Sequence, residues 1–362
     1  MSGESLKILF IGDSWQGASD RSLREALQAL PGVSISDICS DHYLPRYRSI
    51  FLRGLNRILK PLQINELEMA IRQALATERP DAVIVYKGAG LNFRFIQEIK
   101  SRGLPVVNIF PDHSPNTYGR ELQLALGYYD LIISTKPHHP KLWLSLYGYS
   151  NPCIHVPHGY DPEVHYWPKP AASSNYDVAM CATWRPEYHR LMLEFAFHVA
   201  EEPITVAIAG GGWSTHASKF PASWSIMPGV SGRAYGEFLR SAKIVIAPVN
   251  RDVVFNGKQQ PGDQDTTRSY ELSAMHCFFL HQRTEYIQSV YDEDTEVPFW
   301  DDSEDLAKLI RRWLPDDAGR EIMSSRSHAR AVPAYSIPER AKRIREILSK
   351  LGGQNSLTAM SV

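Results

Sequence analysis

The sequence predicts an α/β protein built as two doubly wound halves, each a parallel sheet covered by helices on both faces. Short apolar runs alternate with longer helical patterns, and the alternation occurs twice. Between the two rounds lies PEVHYWPKPAASSN, residues 162–175, whose three prolines and small polar run suit a linker. At 362 residues the chain is long enough for two domains of ordinary size.

In the first half the strand candidates are 7–11, 33–37, 82–86, 106–110, 131–134 and 153–156. Helical patterns over 19–30, 63–77, 92–101, 119–126 and 140–147 fill most gaps. The strands read as continuous apolar runs rather than alternating ones, which implies burial on both faces. In the second half, strands are expected at 177–181, 205–209, 244–248 and 278–281. Helices are expected at 186–199, 232–241, 266–275, 303–313 and 317–331. A final helix, 338–351, precedes a tail at 352–362 that reads as disordered. Each half is thus Rossmann-like, with boundaries at 1–160 and 161–335.

The 39 Lys and Arg against 40 Asp and Glu leave the chain near neutral, which argues against a dedicated nucleic-acid binder. Four cysteines without a CxxC pair suit free thiols in a reducing compartment. MSGESLKILFIG enters a strand directly, and no run reaches the ~18 apolar residues of a membrane span. A cytoplasmic protein is the expectation.

Several segments carry candidate chemistry. In IGDSWQGAS, Gly12 opens a strand-to-helix turn whose amides can face a ligand, although the spacing is not GxGxxG. NIFPDHSPNTYG places Asp112 and His113 just past a strand, where either can act as a base or orient a hydroxyl; the residue types equally suit a turn. CATWRPEYHR brackets a helix start with Arg185 and Arg190, an arrangement suited to diphosphate or to surface pairs with Glu187 or Glu202. AGGGW permits close backbone approach to a ligand or a left-handed turn, and Trp213 or Trp224 can stack on a base or fill the core. Histidines 155, 158 and 165 match no common metal spacing, and no metal is expected. LPRYRSIFLRGLNRILK carries Arg46, Arg48, Arg53, Arg57 and Lys60, with Phe51, Leu55 and Ile58 at helical spacing. This basic amphipathic stretch, 46–60, suits peripheral contact with an anionic membrane, or a core-packing helix with a cationic face.

The densest segment is PGDQDTTRSYELSAMHCFFL. Asp263, Thr266, Thr267, Arg268 and Glu271 lead into a small-residue helix and a short strand. Carboxylates there can accept from sugar and ribose hydroxyls, and the cation can meet phosphate.

Together these segments resemble GT-B glycosyltransferases. PHGYDPEVHYWP is similar to the turn that ends their first domain, and DVAMCATWRPEYHR to the strand and helix that open the second. PGDQDTTRSYELSAMHCFFLHQRTE resembles the signature of the CgeB-like (spore maturation protein) glycosyltransferases at Gly262, Asp263, Thr267, Arg268, Glu271, Ala274, Phe279 and Leu280. The resemblance implies two Rossmann-like domains facing a cleft, an N-terminal acceptor domain and a C-terminal nucleotide-sugar domain. It also implies that helix 336–351 crosses back to the first domain. Glu271 would bind the ribose, Asp263 would lie near the donor sugar, and Thr267, Arg268 and Arg185 near the diphosphate. No bound metal or other cofactor would be needed. The acid-x7-acid spacing leans towards retention of configuration. Met275–His276 stands where the family shows Cys–Gly, so the backbone there is expected to be less permissive. An epimerase or hydrolase on the same fold, and a non-catalytic nucleotide-sugar binder, are the competing readings.

Overall fold

The computed structural model describes residues 5–15, 17–45, 49–88, 90–171, 174–255 and 258–352. The chain divides into two units: Met1–Pro157 with Ile337–Val362, and His158–Ser336.

In unit 1, strands β1 (Leu6–Gly12), β2 (Val33–Cys39), β3 (Ala82–Tyr86), β4 (Val106–Phe110), β5 (Leu131–Ser134) and β6 (Cys153–His155) form one sheet in the order β2-β1-β3-β4-β5-β6. All of its pairings are parallel. The apolar runs are buried on both faces, with Ile8 to Ile11 and Val83 to Val85 at most 1% exposed. The chain runs from β1 out to β2 and then crosses to β3, so the order reverses between β1 and β3. The C-terminal helix Ile337–Gly352 packs on this unit through Ala341, Ile344, Ile347 and Leu348, against Leu23 and Leu27 of helix Ser19–Gln28. The rest of the tail, 353–362, lies outside the described residues.

One element of unit 1 departs from expectation. The helix predicted at 63–77 runs from Ile50 to Thr77, with Pro61 inside it. Its second half buries Leu67, Ile71 and Leu75 at i, i+4, i+8. Its first half does not pack on the core: Phe51 is 79%, Ile58 76% and Leu62 63% exposed. Arg46 and Arg48 of the basic stretch lie outside the described residues.

In unit 2, strands β7 (Tyr176–Cys181), β8 (Val206–Ala209), β9 (Ser225–Met227), β10 (Ala242–Ala247), β13 (Phe279–Gln282) and β14 (Phe299–Trp300) form a second parallel sheet. Its order is β14-β13-β10-β7-β8-β9, and an antiparallel ribbon, β11 (Val253–Phe255) with β12 (Lys258–Gln260), extends from the loop after β10. Read by position this is the Rossmann order 3-2-1-4-5-6, whose reversal point lies between β7 and β10. Ligands of such sheets bind outside the carboxyl ends of the strands at that point.

The helix before β13, Arg268–Ala274, buries Ser269 to Ala274 in succession. It ends in a Schellman turn: the Cys277 N–H donates to the Leu272 carbonyl and the His276 N–H to that of Ser273, both at 3.0 Å. The turn needs a left-handed residue, and His276 supplies it at φ +59°. The expected restriction at Met275–His276 is thus met with strain rather than avoided, histidine being among the side chains that tolerate this region best.

Candidate functional site

Arg268 stands at the reversal point of the second sheet. Its guanidinium donates from Nη1 to the Cys181 carbonyl at 3.3 Å and from Nη2 to the Pro248 carbonyl at 2.8 Å. These carbonyls close the carboxyl ends of β7 and β10, so one side chain bridges the two strands that flank the crevice. Its buried Nε–H has no acceptor. A buried charged donor without a partner calls for an acceptor, because the unmade bond costs about 1–3 kcal/mol.

One turn further, Glu271 is 9% exposed. Its Oε2 accepts from the Tyr235 hydroxyl at 2.9 Å, and His165 Nε2 lies 3.8 Å from its Oε1. Burial first, then the Glu271 charge, pushes the Tyr235 phenol well up, so Tyr235 remains a donor. Thr267 is the N-cap residue of the same helix, and its carbonyl accepts from the Tyr270 and Glu271 N–H groups at 3.0 Å.

Asp263 lies in the preceding loop, which is pinned by its N–H to the Asn250 carbonyl at 2.8 Å. Gly262 makes this approach possible: a Cβ there would fall 2.6 Å from Arg251 Cα and 2.7 Å from the Asn250 oxygen. Asp263 lines a cavity of about 470 Å³ with Arg251, Gln264, Arg283 and Thr284, while Glu271 is not part of its lining. The two carboxylates therefore occupy different surroundings. Arg283 is engaged by Glu293 and Asp301. Burial pushes the Arg251 guanidinium down, against the pull of Asp301 and Glu187.

Arg185 is the N-cap residue of helix Pro186–His198 and is exposed. Tyr188, buried one turn into that helix, links the group. Burial raises its pKa, and the charges acting on it come from Arg268, Arg185, Asp263 and Glu187. Arg268 and Glu271 thus share one helix at the β7–β10 reversal, and the charges of Arg185 and Asp263 reach the same Tyr188 that Arg268 does. Tyr188, Tyr235 and Arg251 are neighbours that the sequence did not single out, and His165 was noted there only as a histidine of no common metal spacing.

Arg190 does not join them. It is exposed and paired with Asp252 at 2.7 Å, not with Glu187 or Glu202. Glu187 instead accepts from the N–H groups of Arg251 and Asp252, and Glu202 pairs with Arg311. The glycines of AGGGW serve the chain itself: a Cβ on Gly210, φ +156°, would lie 1.8 Å from the Ala182 oxygen. Trp213 and Trp224 are core residues, and it is Trp184, stacked on His216 at 4.5 Å, that lies at the core edge.

The remaining candidates belong to unit 1. Gly12 ends β1, but the turn behind it holds a carboxylate: Asp20, 7% exposed, accepts from the Asp13 N–H at 2.5 Å, and its Oδ2 lies 3.0 Å from a Cβ position on Gly12. Burial raises the Asp20 pKa, and the charge of Asp13 adds to this. Asp41 takes the next amide and the hydroxyl of Ser14 at 3.0 Å. A seat filled by carboxylates repels phosphate. Asp112, past β4, pairs with Lys87 Nζ at 3.0 Å and accepts from the Tyr118 hydroxyl at 2.6 Å. Lys87 follows β3 in a left-handed conformation, φ +63°, held by its N–H to the Ile109 carbonyl at 2.7 Å. His113 is anchored through its carbonyl, which accepts from His139 Nε2 at 3.0 Å. Among the described residues one trio of possible metal ligands occurs, Cys39, Asp41 and His42, at the end of β2. No helix of the described residues is long and apolar enough to cross a membrane.

Solved structures with this architecture span nearly the whole chain. It is similar to a sucrose-phosphate synthase from Thermosynechococcus elongatus, at 12% identity over 97% of this chain and 100% of that one, with a TM-score of 0.68. It is also similar to HepE of Anabaena, solved in complex with UDP and glucose, at 14% identity over 95% and 100% of the two chains, TM-score 0.65. A third is a putative UDP-N-acetylglucosamine 2-epimerase from Listeria monocytogenes, at 12% identity over 97% and 98%, TM-score 0.58. No curated protein matches the chain. These likenesses give the fold: two Rossmann-like units of the GT-B kind. Residues 185–346, the stretch that holds Arg185, Asp263, Arg268 and Glu271, match the model of a family described as glycosyl transferase-like.

Proposed function

We propose that the protein transfers a sugar from a nucleotide-diphosphate sugar to an acceptor, with retention of configuration and without a metal ion. The observation that carries this reading is Arg268. It is fixed by two backbone carbonyls at the reversal point of the second sheet, with its Nε–H left without an acceptor. A diphosphate oxygen supplies that acceptor. Arg185 and the N-terminus of helix Pro186–His198 add positive potential for the leaving nucleoside diphosphate, the work a cation would otherwise do. Glu271 takes the ribose hydroxyls, with Tyr235 and His165 fixing its orientation. Asp263 faces the donor sugar from its polar cavity. The HepE complex with UDP and glucose supports a nucleotide-sugar ligand on this fold, and the glycosyl transferase-like match over 185–346 supports transfer.

Unit 1 takes the acceptor in this reading. Asp112, poised between Lys87 and Tyr118, orients or deprotonates the acceptor hydroxyl, and His113 stands beside it. The exposed turns of helix Ile50–Thr77 rest on the cytoplasmic face of an anionic membrane: Phe51, Ile58 and Leu62 enter the headgroup region, with Arg57 and Lys60 beside them. A lipid-linked acceptor fits that placement. Co-sedimentation with phosphatidylglycerol vesicles, lost in Phe51→Asp/Ile58→Asp, tests the contact.

The main test incubates the protein with UDP-, GDP-, dTDP- and CMP-sugars while thermal shift and nucleoside diphosphate release are followed. A shift with acceptor-dependent release is the expected result. Release without acceptor identifies a hydrolase, conversion of the donor sugar an epimerase, and a shift without turnover a binding protein. No shift with any nucleotide overturns the donor assignment.

A further inference from the structure

We propose that unit 2 carries a second anion site, at the edge of its sheet opposite the donor residues, which takes an organic phosphate monoester. A recess of about 700 Å³ opens there, where Ala242 begins β10 and Cys277–Phe278 lead into β13. The donor candidates lie past the carboxyl ends of the same strands, so the parallel sheet itself separates the two places.

The charged groups facing the recess are Lys169, Arg240, Lys243 and Arg320 against Asp317 and Glu321. Among the described residues two of the four cations, Arg320 and Lys243, are ion-paired, and Arg240 and Lys169 are not. Arg240 donates to the Met275 carbonyl at 2.5 Å, and its guanidinium lies 5.3 Å from the Trp167 ring. Arg320 donates to the carbonyls of Trp313 and Leu314 and also pairs with Asp317. Carbonyls and rings hold a cation in place without cancelling its charge. Lys243 bonds Asp177 at 2.8 Å, and Lys169 has no ion-pair partner among the described residues. Counting Asp177, four cations face three carboxylates. Burial pushes the Arg240 guanidinium down, against the pull of Cys277, and the nearby charge of Arg233 adds to the downward shift.

Size and floor select the ligand class. Pro170 and Phe278 add apolar surface to the lining of the recess. Its volume lies in the range of pockets that hold small organic ligands, roughly 300–1,000 Å³, and far exceeds a bare phosphate. His276 forms part of the wall. Its ring stacks on His328 at 4.4 Å, and its Nε2 lies 3.1 Å from Ser325 Oγ. A glycine would adopt this left-handed turn freely, whereas a side chain costs about 1–2 kcal/mol. Strain of this kind persists where the side chain has a use, and here it keeps a hydrogen-bonding ring at the recess.

The experiment titrates phenyl phosphate and inorganic phosphate into the protein by calorimetry, with and without saturating UDP. One saturable site is expected, several-fold tighter for phenyl phosphate and unaffected by UDP. Lys169 and Glu321 are both exposed, so their charge can be changed without disturbing the fold. Lys169→Glu should weaken phenyl phosphate about five-fold or more and Glu321→Lys should tighten it, as single charges near a surface ligand do. Equal affinities in the three proteins, competition by UDP, or no saturable binding each overturn the proposal. The titration at saturating UDP reads the recess alone, and UDP binding measured by itself shows a failure of the donor assignment separately.

Discussion

The carboxyl edges of the two sheets have similar topology and opposite electrostatic character. In unit 2 the group at the reversal point is a cation, Arg268, with one donor still unused. In unit 1 the amides at the equivalent point are already taken by the chain's own carboxylates, Asp20 on Asp13 and Asp41 on Ser14. An edge that ends in a partly unused guanidinium recruits phosphate. An edge lined by carboxylates rejects phosphate and suits hydroxyl groups, which donate to them. The doubly wound sheet thus provides the place, and the side chains at its rim decide the ligand.

The largest effect should come from the hydroxyl-directed edge. Asp112→Asn keeps an acceptor for Tyr118 but loses the charge that Lys87 pairs with. Transfer should fall about 10²–10⁴-fold, the range of general-base loss, with nucleotide affinity unchanged. A rate within ten-fold of wild type places the base elsewhere and breaks the contrast between the edges.

Next comes Arg268→Met. It removes the bridge between Cys181 and Pro248 and the donor proposed for the diphosphate. Hydrogen bonds to a charged group contribute about 1.5–3 kcal/mol each, so UDP affinity should drop on the order of 100-fold, and thermal denaturation should show a lower midpoint. Arg268→Lys retains the charge but not the fork, and should recover part of the affinity and little of the bridge. Unchanged UDP binding in both variants would remove the anion character assigned to this edge.

How much of this could be read in the chain depends on how far apart the partners lie. Strand–helix alternation is local, and nearly every sheet strand was visible because parallel strands buried on both faces read as apolar runs. The two-residue β14 and the β11–β12 ribbon left too short a trace. Arg268 and Glu271 stood out because a cation and an acid share one junction. Their partners did not: Cys181 lies 87 residues from Arg268 and Tyr235 36 from Glu271. Lys87 and Tyr188 looked like ordinary residues beside a strand and within a helix. Pro61 hid the continuity of helix Ile50–Thr77, since a proline usually ends a helix, yet here it falls in the exposed half. AGGGW looked like a ligand loop because close approach to a ligand and close approach to the chain's own backbone ask for the same residue.

A smaller effect sharpens the role of Glu271. Glu271→Gln preserves an oxygen for Tyr235 and removes the charge, while Tyr235→Phe removes the orienting donor. UDP affinity should fall about ten-fold in the first and two- to three-fold in the second, in line with one charged and one neutral hydrogen bond. Both losses should vanish with 2′,3′-dideoxy-UDP. If they persist, Glu271 acts on something other than the ribose.

The smallest difference separates two arginines five residues apart in sequence. Arg185 and Arg190 look alike there, both bracketing a helix start. In the fold, Arg185 caps helix Pro186–His198 within the field of Tyr188, which also feels Arg268 and Asp263. Arg190 points to Asp252, and both partners are more than half exposed. An exposed pair is worth roughly 0–1 kcal/mol and is largely met by water when broken. Arg190→Ala should therefore change UDP affinity by less than about two-fold, whereas Arg185→Ala, which removes a cation beside the helix N-terminus, should weaken it about five-fold. Salt should reveal the same ordering, because an anion held partly by an exposed arginine is screened as ionic strength rises. Wild-type UDP affinity should fall with salt more steeply than that of Arg185→Ala and in parallel with that of Arg190→Ala. The reverse pattern would move the diphosphate one turn along the helix and draw Asp252 into the site.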